Sequence, residues 1–162
     1  MRKDWITGVV ALAGIAGLVH AEGLPAKSSA IEAFGKGVQI YACKAASGGT
    51  YTWALKGPDA TLRDASGHVI GKHFAGPSWQ ANDGSRVVGE PLNVSPSPNP
   101  GSIPWLVLRA RSHMGAGQMA DVEYIVRTRT EGGVAPAGGC DASHANAEVR
   151  VPYGAIYLFF RG

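Results

Sequence analysis

The side chains best placed for chemistry lie between residues 64 and 90. His73, Asp83 and Ser85 stand close together, and their types could supply a base, an orienting carboxylate and a nucleophile. No G-x-S-x-G elbow accompanies them, and Asp83-Gly84-Ser85 reads more simply as a turn whose carboxylate caps backbone amides. Hydrolysis is therefore the weakest of the readings. His73 is also the best candidate for a metal ligand, because neutral imidazole suits zinc or copper. Its neighbour His68 is an odd number of residues away, so a regular strand points the two rings to opposite faces. Only a bulge, for instance at Gly71, would turn both inward. A hydrogen-bonded structural His73 is expected ahead of a metal site, and no cofactor is expected. Carboxylate pairs for glycoside cleavage would have to come from Asp83, Glu90, Asp121 and Glu123, and no pair stands out.

Binding chemistry has better candidates. A flat aromatic face flanked by amide and carboxylate groups suits a sugar ring, and Trp79 precedes Asn82 and Asp83. His73, Trp79, Asn82 and Asp83 are thus the candidate ligand-binding residues. Trp79 reads equally as a core lid or as a site wall. Trp105 follows Ile103-Pro104 at the start of an apolar strand and reads as core. Gly115-Ala116-Gly117-Gln118-Met119-Ala120 fits G-x-G-x-x-A. That fingerprint works by opening a helix onto a pyrophosphate, whereas the segment that follows alternates like a strand, so a turn is expected instead.

These residues must be carried by strands. Residues 28–34 (SSAIEAF) suggest one short turn of helix, and beyond them alternation dominates. Strands are expected at 38–43 and 51–55, with Gly57-Pro58 breaking the chain after the second. Two hairpins follow, turning at Ala65-Ser66-Gly67 and at Asn82-Asp83-Gly84, where glycine supplies a positive φ. Residues 95–104 (SPSPNPGSIP) read as an extended exposed loop. Strands are expected at 103–111 and 122–130, then at 148–151 and 155–160 with Pro152-Tyr153-Gly154 between them. Short strands at this density predict an all-β, mostly antiparallel single domain, either a sandwich or a barrel.

The N-terminus has the layout of a secretory signal. Arg2 and Lys3 precede an uncharged run over 6–19, and Val19-His20-Ala21 offers small residues to a signal peptidase. The run is short of the roughly 20 residues that span a bilayer. The expected organisation is a cleaved signal at 1–21 and one β-rich domain at 22–162, secreted or periplasmic, with no transmembrane segment after cleavage. Cys43 and Cys140 are then expected to form one disulfide, since an even pair in an exported chain usually bridges. Loss of two cations and one anion with the signal takes the formal charge from +3 to +2. The remaining cations are scattered, which argues against nucleic acid as a partner.

Several segments together carry a family resemblance: residues 37–43 (GVQIYAC), 71–79 (GKHFAGPSW), 83–85 (DGS), 103–106 (IPWL), 132–136 (GGVAP), 138–141 (GGCD) and 151–153 (VPY). The chain resembles an uncharacterised family of secreted bacterial and fungal proteins catalogued as a domain of unknown function. The resemblance covers nearly the whole chain from Val38 onward and brings no activity with it. What remains is an exported protein with more marks of a binding or surface protein than of an enzyme, its partner a glycan or a small molecule. A His73-based metalloprotein or oxidoreductase and a purely structural envelope or stress protein are the alternatives.

Overall fold

The computed structural model describes residues 30–162. The expected signal at 1–21 lies outside the described residues. Eight strands follow one another: β1 (Ala30–Ala45), β2 (Tyr51–Arg63), β3 (Val69–Phe74), β4 (Ser78–Ala81), β5 (Arg86–Ser95), β6 (Trp105–Met114), β7 (Val122–Gly132) and β8 (Glu148–Arg161). Each pairs antiparallel with the next, and β8 pairs antiparallel with β1, which closes the sheet into a barrel. Closure settles the choice between sandwich and barrel, and it gives every strand a paired neighbour on both sides over at least part of its length.

Period-2 alternation now has a fixed meaning: one face fills the barrel and the other meets solvent. Along β8, Tyr153, Ala155, Tyr157 and Phe159 are buried, while Ile156, Leu158 and Phe160 between them are only partly covered. The interior is filled by Leu62, Trp79, Val87, Leu108, Ile125, Tyr157 and Phe159, with Met119 contributed by the loop before β7. No helix among the described residues is long and apolar enough to cross a membrane.

The two expected hairpins are present as β2–β3 and β4–β5. Three local expectations are corrected. Residues 30–34 extend β1 and form no helical turn, because they pair with residues 156–160 of β8, and β2 joins on the other side from Phe34 onward. Gly57-Pro58 does not end a strand. The register shifts there, and β2 continues to Arg63 past a bulge. Nor does Pro152 split β8: the ladder to β7 ends at Tyr153, so no β7 carbonyl waits for the missing N–H.

The disulfide joins Cys43 to Cys140, a sequence separation of 97. It anchors the loop before β8 to the end of β1. Backbone hydrogen bonds from Cys43 N to Ala147 O and from Asn146 N to Cys43 O, both 2.9 Å, hold the same loop. Asp141 caps the 3-10 turn Ala142–His144 by accepting from Ser143 N and His144 N.

Candidate functional site

The four candidate binding residues divide into two pairs that share no hydrogen bond. His73 and Trp79 face each other across the β3–β4 ladder and point into the barrel, where each is about as buried as the core leucines. The His73 Nδ1–H donates to the Ser78 carbonyl at 2.8 Å, which fixes the tautomer. The His73 ring lies parallel to the Trp79 indole, and Tyr157 meets both edge-on. Burial, opposed by the Ser78 hydrogen bond and aided by the charge on Arg127, brings the His73 imidazole down to about 3. His73 is therefore a neutral core group near pH 7. Trp79 has no free face to offer a sugar. Gly89 makes room for it: a Cβ there would meet Trp79 Cζ3 at 3.1 Å.

Asn82 and Asp83 sit in the exposed β4–β5 turn. Asn82 Nδ2 donates to Val69 O at 2.6 Å, tying the turn to β3. Asp83 Oδ1 accepts from Ser85 N at 2.9 Å and from Ser85 Oγ at 2.5 Å, and Oδ2 accepts from Gln118 N at 2.7 Å. The Ser85 hydroxyl in turn accepts from Met119 N at 3.0 Å. These hydrogen bonds, the one from Ser85 Oγ first, hold the Asp83 carboxyl below its ordinary range. The group is a clamp that pins the 115–121 loop to the turn. Gly117 in the G-x-G-x-x-A stretch serves this clamp, since a Cβ there would strike Asp83 Oδ2 at 2.3 Å. The stretch leads into β7, not into a helix.

Among the described residues no three His, Cys, Asp or Glu side chains converge, so His73 has no companion ligands gathered around it there.

The outer surface of the barrel carries a concavity that the sequence did not reveal. β1, β8 and β7 lie side by side, and their register builds two rows: Lys36–Gly154–Glu131 and Phe34–Ile156–Thr128. Between Thr128 and Glu131, two residues of β7 oppose the single residue Ala155. In this bulge Thr130 turns inward and donates its hydroxyl to Ile103 O at 2.6 Å. Arg129 takes a left-handed φ of 47°, a costly conformation for a residue with a Cβ. The result is a groove of about 630 Å³ above Gly154, walled by Phe34, Ile156 and Pro152 and rimmed by Lys36, Arg129 and Glu131.

A second groove of about 310 Å³ runs beside it, lined by Trp105, Val107, Val126 and Leu158 with Asn93 and Ser95. Trp105 is thus half-buried on the outer face, and its indole N–H has no partner among the described residues. The expectation that Trp105 fills the core is corrected here. Leu106 and Leu108 take the inward positions of β6, so alternation turns Trp105 outward.

Searches of curated proteins and of solved structures found no match. The family model described as "Protein of unknown function (DUF3455)" matches residues 25–161, in agreement with the resemblance read from the sequence. A barrel whose strands and disulfide all lie within that match, from Ala30 to Arg161, is the unit the model describes, and the chain belongs to this family.

Proposed function

We propose that this protein is an exported, non-enzymatic binding protein that takes a small ligand on the outside of its barrel, in the groove over Gly154. The observation that carries the reading is the absence of a side chain at residue 154. A Cβ there would find only Gly35 O within 4 Å, at an ordinary 3.8 Å. The fold therefore has no need of a glycine at this position. The contrast is Gly35 beside it, whose Cβ would meet Tyr157 Cε2 at 2.5 Å and where the fold does need one. What a side chain at 154 would fill is the groove.

Other features support the same reading. Large side chains fill the barrel interior, which leaves the outer face to meet a ligand. Concave, mostly apolar hollows with a few polar groups are the usual form of small-molecule sites. The disulfide suits an oxidising compartment, as does a signal cleaved after residue 21. A fragment screen by ¹⁵N NMR tests the proposal. Hits should shift the amides of Phe34, Gly154 and Ile156, and Gly154→Leu should abolish those shifts while the spectrum stays folded. A screen whose hits all map elsewhere would sink it.

One observation favours a glycan as a second reading. Trp105 presents part of its indole beside Asn93 and Ser95 in the smaller groove, an aromatic face with polar neighbours. Quenching of tryptophan fluorescence by oligosaccharides, lost in Trp105→Ala, is its signature.

A further inference from the structure

The Gly154 groove has a charge character that narrows its ligand. Most cations of the described residues are engaged. Lys56, Arg109 and Arg150 pair with Glu148, Glu90 and Asp59. Lys44 donates to Asn146, Arg63 to Gly67 O, Arg127 to Pro104 O, Arg161 to Gln118 O and Arg86 to Met114 Sδ, and Lys72 lies over the Phe74 ring. Among the described residues, three cations have no hydrogen-bond, ion-pair or ring partner: Lys36, Arg111 and Arg129. Two of those three rim this one groove. Glu131, on the same rim, forms no ion pair with either.

The placement of the two is specific. Lys36 is on β1 and Arg129 on β7, with β8 between them. Two strand spacings separate their backbones by roughly 9–10 Å. Both side chains line the groove that holds the bare backbone of Gly154. Arg129 stands there because the β7 bulge holds it in a left-handed conformation, and that cost falls on a residue with no partner among the described residues. Beside the cations, Phe34 and Ile156 offer an apolar wall.

Resting on the binding reading above, we infer that the groove takes a small organic anion, its carboxylate or equivalent acid group held between Lys36 and Arg129 and its flat or acyl body against Phe34 and Ile156. A guanidinium presents paired donors to a carboxylate, and such charge-assisted bonds are the stronger kind.

The test uses 2-naphthoate and its uncharged counterpart 2-naphthalenemethanol, titrated into the purified protein by calorimetry and ¹⁵N NMR. Naphthoate should shift the amides of Phe34, Lys36 and Gly154 and bind at least about tenfold more tightly than the alcohol. Arg129→Gln and Lys36→Gln should each weaken naphthoate by about tenfold and leave the alcohol unchanged. Both are surface substitutions, and an unchanged melting temperature verifies that the fold is intact. If the alcohol binds the same groove as tightly and neither substitution matters, the anion inference is overturned while the groove stands as a binding site. If neither compound shifts these amides, and Gly154→Leu alters nothing, the inference and the binding reading fall together.

Discussion

The imidazole of His73 lies flat on the indole of Trp79, with ring centroids 4.4 Å apart and planes within 4° of parallel. Two residues that the sequence offered as site walls form the centre of the barrel's aromatic packing. Tyr157 and Phe159 complete the cluster.

The first prediction concerns pH. Burial lowers the His73 pKa from its ordinary 6.5 to about 3 in the folded state. Between those values the unfolded chain binds a proton that the folded one refuses. Stability is therefore fully present above pH 6.5 and falls on acidification through that window, with a slope approaching about 1.4 kcal/mol per pH unit. Asp83, Asp141 and Glu148 are held below their ordinary ranges, so their share is lost only at lower pH. Denaturant titrations at pH 7.5, 6 and 5 should show the fall, and His73→Phe should flatten it. Equal slopes in both proteins would mean that the ring titrates freely.

Trp79 and Trp105 exchange the roles their sequence positions suggested. Trp79→Ala empties the aromatic centre and should cost about 3–5 kcal/mol, while Trp105→Ala removes a half-buried outer side chain and should cost clearly less. Thermal melts of the two variants decide the order, and a larger loss at Trp105 would contradict the packing described above.

The two outer-face and inner-face glycines of neighbouring strands offer a paired test. Gly154→Ala should leave stability within about 0.5 kcal/mol of wild type. Gly35→Ala must push against Tyr157 and should cost about 1–3 kcal/mol. Similar losses at both positions would show that Gly154 serves the fold, and would remove the main support for a ligand groove.

Reduction of Cys43–Cys140 releases a loop whose ends are 97 positions apart in sequence. On the chain-entropy account this costs up to about 4–5 kcal/mol, and often less in practice. Melting curves with and without reductant should separate clearly, and Cys43→Ser should reproduce the reduced curve. Coincident curves would refute the stabilising role.

Much of the barrel was legible because alternation and turn glycines are local signals. The hairpins at Gly67 and Gly84 and the strands that became β6 and β7 follow from a few neighbouring residues each. Closure was not legible, since the pairing of β1 with β8 is non-local and a sandwich shows the same alternation. Bulges cost the most information. One near Val122 puts both Val122 and Ile125 inside, where strict period-2 alternation would send them to opposite faces. Another aims Arg129 outward. The groove needed the full register: Lys36, Arg129 and Gly154 are far apart in sequence, and what joins them is a missing side chain.

The pairing of β1 with β8 also bears on how the chain reaches this state. Ala30 lies opposite Phe160, so the ladder that completes the barrel joins residues more than a hundred positions apart. Contacts of such long range make folding slow, because loop closure precedes any reward. During synthesis β1 has no partner on one side until Glu148–Arg161 has left the ribosome. A nascent chain in that condition exposes an unpaired edge and an open apolar interior, which is the form that holding chaperones recognise.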